Sequence, residues 1–276
     1  MRRAAPFART NMPFGMETSH NACDPTRCLL VSFSCVAAWT MTLLLSRFYF
    51  SAWIAPKTYP KLDAPARAYW DISIPATANG AFNSLYCILI WMREPRLLPW
   101  RATTDDVWFQ SDDTCSLIVI FMTWCAYDLS TVVYYWREWD RPYAMILHHA
   151  SGIVAWALYL EGGYGHAMSL VGVFCEVTNP FMNIRYFLST CQLKHSRAYI
   201  INGVGFCIAW LLVRILFAIP ACAWLISLHW AHLRPSMQSW RLALYVAFYL
   251  VGASLNCVWG YKLFHGAYKL LSAKKA

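Results

Sequence analysis

Long apolar blocks separated by short polar loops dominate the chain between Leu29 and Phe264. An α-helix needs about 20 apolar residues to cross the hydrocarbon core of a bilayer, so the pattern predicts about seven membrane spans, within a range of about six to eight. The predicted spans are Leu29–Phe50, Ile72–Met92, Cys115–Trp136, Tyr143–Leu160, His166–Leu188, Tyr199–Leu228 and Leu242–Phe264. We therefore expect an all-α protein, built as a polytopic bundle of transmembrane helices.

Two of the predicted spans carry polar positions that interrupt the apolar pattern. The second contains Pro75, Asn79, Gly80 and Asn83, and the fifth contains Glu176. Polar groups in hydrocarbon are costly unless they face other helices or a cavity. The second span is therefore a weaker candidate, and we expect the fourth span, which is short, and the fifth, which is polar, to face protein rather than lipid.

Composition supports a lipid environment and excludes a soluble globule. Hydrophobic residues make up 59% of the chain and charged residues 13%, whereas soluble domains carry roughly 25% charged residues. The net charge of +9 lies mostly in short loops and at the C-terminal end, as is usual for residues flanking membrane spans. We therefore predict no nucleic-acid partner, and the Lys/Arg bias places the C-terminus in the cytosol.

Most of the eleven cysteines lie inside apolar blocks without paired, metal-like spacing, which is typical of small buried hydrophobes. Cys23 and Cys28 precede the first span and are candidates to pair with each other if that end is luminal. No cleavable signal peptide is evident, so the block from Leu29 to Phe50 is expected to act as an uncleaved anchor.

A small group of ionisable and polar residues is the main candidate for chemistry. Asp128 lies in the third predicted span, His148 and His149 begin the fourth, Glu176 lies in the fifth and Arg214 in the sixth. Ionisable groups inside a membrane usually mark a functional site. We predict catalytic roles for these two carboxylates and two histidines. Four residues are predicted to bind lipid: Asn179, Asn183, Arg185 and Arg214.

Structural roles are alternatives for the same residues. Arg214 is a candidate ion-pair partner for Asp128 or for Glu176, and asparagines can form hydrogen bonds between helices. A metal site is disfavoured, because adjacent residues on a helix point about 100° apart, whereas metal-binding pairs usually need wider spacing. The adjacency of His148 and His149 favours one ring acting on substrate while the other is held elsewhere.

At these positions the chain resembles the TLC domain family, which includes ceramide synthases and translocating-chain-associated membrane proteins. The motifs are Tyr127-Asp128, the pair His148-His149, and Glu176 followed by the run from Pro180 to Arg185. The last motif is similar to that of the TLC domain-containing proteins. The resemblance divides the chain into an N-terminal tail (1–28), a first span and loop (29–68), a TLC domain (69–264) and a basic tail (265–276).

The resemblance implies helices around a lipid-accessible tunnel, with acyl-CoA as a co-substrate and no other cofactor or metal. In ceramide synthases the paired histidines belong to the active site, and one is thought to carry the acyl group. This sequence departs from them where they have His-Asp-x-x-Asp, because the stretch from Phe174 to Asn179 keeps one carboxylate, Glu176, and no histidine. Ceramide synthesis is therefore not expected.

Three functions remain open, all with membrane lipids as partners. The first is a lipid acyltransferase-like enzyme that uses the His148-His149 pair. The second is a non-catalytic sensor or regulator of membrane phospholipid composition, and the third is a cargo or translocation helper. Lys274 fits a loose endoplasmic reticulum retrieval signal, so we expect a multi-pass protein of that membrane. The sequence leaves homo-oligomerisation, protein partners and enzymatic activity undecided.

Overall fold

A computed structural model describes residues 23–139 and 143–272. Within these ranges the chain forms helices and loops and no strand. The main helices, numbered α1 to α8 in chain order, are Pro25–Ile54, Ala64–Arg93, Asp112–Tyr134, Tyr143–Gly162, His166–Phe174, Asn179–Thr190, Arg197–Ser236 and Ser239–Ser272. Short 3-10 turns cover Tyr59–Lys61, Pro95–Leu97, Thr104–Trp108 and Cys175–Thr178. The predicted all-α class is confirmed.

Five helices within the described ranges are long and apolar enough to cross a membrane: α1, α3, α4, α7 and α8. They correspond to the first, third, fourth, sixth and seventh predicted spans. The second predicted span is the 30-residue helix α2, whose polar positions lower its hydropathy. The fifth is divided between α5 and α6. Five of the seven predicted spans are therefore supported by helices that are long and apolar enough to cross a membrane.

Helix ends follow local sequence signals. Asp24 and Asp63 cap α1 and α2 by accepting hydrogen bonds from backbone N–H groups of the first turn, and Pro65 lies at the start of α2. Ser111 caps α3 in a capping box with Thr114. Such caps satisfy N–H groups that have no partner within the helix.

Two helical breaks shape the interior. Between α5 and α6 the backbone tightens into the 3-10 turn Cys175–Thr178, just before Pro180. Within α7 the segment Trp210–Ala218 is π-helical and ends just before Pro220. Proline lacks the N–H that would continue the regular hydrogen-bond ladder, and π-helical segments are frequent at functional sites.

One end of the bundle is tied by covalent and ionic links between α1 and α3. Cys23 forms a disulfide with Cys115, and Arg27 forms an ion pair with Asp112. The expected pairing of Cys23 with Cys28 is therefore wrong, and Cys28 is a free thiol. The packing of the two helices brings Cys115, in the first turn of α3, to a Cα–Cα distance of 5.7 Å from Cys23, although the two are 92 residues apart in sequence.

Helix α3 lies at the centre of the fold. Half of its apolar window is buried (50%), against 6% for α1 and 6% for α8. The largest core cluster has members on helices α2, α3, α4, α5 and α7. Leu117, Leu170 and Leu225 are among its fully buried side chains. The outer helices α1 and α8 therefore present apolar side chains outward, as lipid-facing helices do.

Several expectations lie outside the described residues. They concern the N-terminal tail as far as residue 22 and the basic residues Lys274 and Lys275.

Candidate functional site

The centre of the site is a hydrogen-bonded pair between α3 and α4. Asp128 Oδ2 lies 2.8 Å from His149 Nε2, and the His149 residue is 5% exposed. An ionised carboxylate only accepts hydrogen bonds, so beside it Nε2 carries the hydrogen. His149 Nδ1 is buried and has no hydrogen-bond partner in the described part of the chain. Asp128 therefore orients the ring and leaves a lone pair on Nδ1 when His149 is neutral.

His148 points elsewhere because consecutive helical residues differ by about 100° in direction. Its ring centroid lies 5.3 Å from that of His149 and 5.4 Å from that of Trp259 on α8. The His148 side chain lines a cavity, whereas its neighbour is held by Asp128. The two adjacent histidines thus have different surroundings.

Glu176 lies in the 3-10 turn before α6 and is 6% exposed. Its Oε2 accepts a 2.6 Å hydrogen bond from Asn179 Nδ2. Helix α2 approaches closely here, since a Cβ on Gly80 would lie 2.9 Å from the Glu176 carbonyl oxygen. A larger residue at position 80 would therefore push α2 away from the turn that carries Glu176.

Arg214, in the π-helical segment, is held by neutral groups. Its Nε donates to Thr178 Oγ1 at 2.8 Å, its Nη1 to Asn256 Oδ1 at 3.0 Å and its Nη2 to the Cys175 carbonyl at 2.9 Å. Its guanidinium also lies over the Trp210 ring, 4.4 Å from the centroid.

The alternatives in which Arg214 pairs with a carboxylate are therefore wrong. Neither Asp128 nor Glu176 lies within 4.0 Å of its nitrogens, because Asp128 bonds His149 and Glu176 bonds Asn179. The Arg214 charge faces the cavity without a bonded counter-charge among the described residues.

The other predicted lipid-binding residues are spread apart. Asn183 donates to the Ser73 carbonyl at 3.1 Å and to Thr77 Oγ1 at 2.9 Å, which links α6 to α2. Arg185 lies over the Tyr199 ring at 4.4 Å and lines neither of the two cavities described next. Of the four residues, Arg214 alone lines the cavity that contains His148.

That first cavity has a volume of about 120 Å³ and a largely apolar wall. Its polar members are His148, Glu176, Arg214 and Asn256, and its floor includes Tyr159. Small residues widen it on α8, where a Cβ added to Gly252 would meet no atom within 4 Å. A cavity of this volume has room for a short stretch of an apolar chain rather than for a whole lipid.

A second cavity of about 850 Å³ lies on the other side of the Asp128–His149 pair, where α2 begins and α3 ends. Its wall combines acidic and aromatic side chains with apolar ones. The charged and aromatic members are Asp63, Asp128, Glu138, Tyr69, Trp139 and Tyr186. Asp128 thus lines the second cavity and bonds His149, the neighbour of His148, which lines the first.

Sequence reasoning did not select Asn256 and Tyr159, which line the first cavity, or Trp259, which packs against the His148 ring. Asn256 is a polar residue within the seventh predicted span. The argument that polar groups in a membrane span are costly, which drew attention to Glu176, applies to Asn256 as well. Trp259 and Tyr159 are aromatic residues in apolar spans and carry no distinguishing signal. Asn79 and Asn83 are buried, and their amides have no partner in the described ranges.

Metal binding has no obvious site here. Within residues 23–139 and 143–272, no three His, Cys, Asp or Glu side chains are grouped so as to hold an ion.

A sequence model of the TLC domain matches residues 28–265. Human TLC domain-containing protein 4 is 24% identical over 254 residues, covering 88% of this chain and 91% of the relative. TLC domain-containing protein 4-B of Danio rerio is 23% identical, covering 78% and 80%. TLC domain-containing protein 4 A of Dictyostelium discoideum is 27% identical, covering 52% and 54%. No solved structure matches this chain significantly.

Proposed function

Because this chain belongs to the TLC domain family, we propose that it is a membrane protein of lipid metabolism that binds an acyl chain in the first cavity and transfers the acyl group through His148. One observation carries this proposal: His148 lines an apolar-walled cavity with Glu176 and Arg214, beside a second histidine held by a carboxylate. The same fold resemblance supports placement in the endoplasmic reticulum, with α2 and the α5–α6 segment as the two further crossings of a seven-span bundle.

The proposed chemistry begins with nucleophilic attack. A ring nitrogen of His148 attacks the carbonyl carbon of an acyl-CoA thioester, and the C–S electron pair leaves with the thiolate. The acceptor lipid then attacks the acyl carbon, and the C–N electron pair returns to the imidazole. The proton of the acceptor ends on the thiolate, so CoA and the acylated lipid are released.

Neighbouring groups have distinct roles in this scheme. Arg214 carries a positive charge into the first cavity, where it would stabilise the oxyanion of each addition step. Glu176 lines the same cavity and is placed to accept the acceptor's proton. Asp128 holds His149, which in turn lies beside His148.

A non-catalytic lipid sensor is the second candidate. It is favoured by the absence of the His-Asp-x-x-Asp element of ceramide synthases, since the stretch from Phe174 to Asn179 contains no histidine and a single carboxylate, Glu176. In that case Arg214 would bind the carboxylate or phosphate of an intact lipid, and His148 would only contact the chain.

Mass spectrometry of the purified full-length protein separates the two functions. The protein is incubated with acyl-CoA, and the peptide containing His148 and His149 is examined for an acyl-sized mass increase, while bound lipids are extracted in parallel. We expect the adduct in the wild type and in the His195→Ala control, since His195 is exposed in a loop. The His148→Ala variant should lack it. Bound, intact lipid with no adduct and no acyl-CoA consumption would favour the sensor instead.

A further inference from the structure

We propose that the second cavity is a binding site for the ammonium head group of an amphiphile. All three of its charged lining residues within the described ranges, Asp63, Asp128 and Glu138, are acidic. A cavity that concentrates negative charge attracts cations and repels phosphate or carboxylate groups. The site is separate from the first cavity, where the charged groups include Arg214.

The aromatic residues of the second cavity specify the kind of cation. Tyr69 packs edge-on against Trp139 and Tyr186, with centroid distances of 5.1 and 4.6 Å. The outer two rings are fixed by hydrogen bonds, from Trp139 Nε1 to the Pro65 carbonyl and from the Tyr186 hydroxyl to the Ala66 carbonyl. Rigid aromatic groups of this kind bind organic ammonium ions through cation–π attraction. A small hydrated metal ion gains less from such a wall.

The polar atoms of the wall act mainly as acceptors. Asp128 uses Oδ2 for His149, and Oδ1 makes no hydrogen bond to a described residue. Asn183 uses Nδ2 for α2, which leaves its carbonyl Oδ1 as an acceptor at the cavity. Acceptors without a partner among the described residues suit a ligand that brings donors or positive charge.

The size of the cavity and its position suit an amphiphile. At about 850 Å³ it falls within the range of small-molecule pockets. Ile72, Ala76, Met145 and Met182 provide an apolar part of the wall beside the acidic part. The cavity lies where α3 ends, whereas the Cys23–Cys115 disulfide lies where α3 begins. The head-group site therefore lies at the end of the bundle opposite the disulfide.

Equilibrium dialysis of the detergent-solubilised protein tests this inference with four probes of equal tail: hexyltrimethylammonium, hexylammonium, hexanol and hexyl sulfate. We expect at least one ammonium probe to bind at least about tenfold more tightly than hexanol and hexyl sulfate, and to bind less tightly as salt rises. A preference between the two ammonium probes identifies a quaternary or a primary head group. Equal binding of hexanol, or tighter binding of hexyl sulfate, would overturn the proposal.

Matched variants localise the binding. Tyr69→Leu and Glu138→Gln should each weaken ammonium binding, the former by about tenfold because a desolvated cation–π contact is lost. Tyr134→Leu and Asp105→Asn are the controls, since both residues are exposed and line neither cavity. Because Glu138 is exposed, Glu138→Gln keeps the test valid if Tyr69→Leu fails to fold. Equal binding by both variants and both controls would refute the site. The assay involves no acyl transfer, so its result is independent of the proposed reaction.

Discussion

The two cavities on either side of the Asp128–His149 pair differ in the charge of their walls. The first is small and apolar, with Arg214 and Glu176 at its polar end. The second is larger, acidic and aromatic. In a low-dielectric membrane interior such differences select ligands strongly, because charged groups are poorly screened there. The comparison shows that one fold presents two cavities of unlike charge, suited to unlike chemical groups.

Adjacent histidines connect the two cavities. His148 lines the first, while His149 bonds to Asp128, which lines the second. A ligand that alters Asp128 in the second cavity would therefore act on the first through two rings whose centroids are 5.3 Å apart. Variants that leave Asp128 and His149 intact should change the binding in one cavity and spare the other, whereas a variant of Asp128 should affect both, which provides the tests below.

The largest expected effect concerns the histidines. His148→Ala should abolish the acyl adduct, because the nucleophile is removed. Asp128→Asn should slow adduct formation by on the order of a hundredfold, since it removes the carboxylate that orients the His149 ring beside His148. The measurement is the rate of adduct appearance by mass spectrometry. An unchanged rate in Asp128→Asn would separate the two cavities functionally and contradict the link between them.

Replacing Arg214 should destabilise the protein and empty the first cavity of anionic or acyl ligands. Arg214→Met removes the donor to Thr178 and to Asn256, while the Cys175 carbonyl keeps the hydrogen bond from the Thr178 hydroxyl. Two unsatisfied acceptors of this kind cost about 2 kcal/mol in total at the low end of measured values. Thermal unfolding in detergent measures the loss. Ammonium binding in the second cavity should persist at temperatures where the variant is folded, and its disappearance there would show that the cavities are not independent.

Filling the first cavity provides a cleaner comparison. Gly252→Leu places a side chain where a Cβ meets no atom within 4 Å, on the wall of that cavity. Gly266→Leu is the matched control, because position 266 has the same open space on the same helix and lines neither cavity. We expect Gly252→Leu to reduce co-purified or adducted acyl chain by about tenfold, which corresponds to about 1.4 kcal/mol. Equal amounts of bound acyl chain in both variants would contradict the proposal that the acyl chain binds in the first cavity.

Much of the fold was predictable because membrane spans follow from length and hydropathy. The positions of α1, α3, α4, α7 and α8 agree with five of the predicted spans. The disulfide was not predictable, since it joins residues 92 apart in sequence and depends on how α1 packs against α3. The break at Cys175–Thr178 is signalled only by Pro180.

The candidate site was predicted as a set of residues but not as an arrangement. The expectation that an ionisable group in a span serves a function drew attention to Asp128, His149 and Arg214, and the structure gives each of them a polar partner. The sequence could not identify the bonding partners of Arg214, because either predicted carboxylate could have formed an ion pair with it. The second cavity was not recognised, since Tyr69, Trp139 and Tyr186 come from three helices or loops and aromatic residues are abundant throughout the chain.

The smallest expected effect tests whether Asn183 serves the second cavity or only joins helices. Its two hydrogen bonds link α6 to α2, and interhelical hydrogen bonds in membranes average about 0.6 kcal/mol. Asn183→Ala should therefore lower thermal stability only slightly, whereas the loss of its Oδ1 acceptor should weaken hexylammonium binding more than hexyltrimethylammonium binding, because only the primary ammonium donates hydrogen bonds. Asn202→Ala is the control, since Asn202 also donates to a neighbouring helix, at the Phe181 carbonyl, but lines neither cavity. If both variants lose the same stability and neither changes the ratio of the two affinities, Asn183 is a structural link, and head-group selection rests on the carboxylates and rings alone.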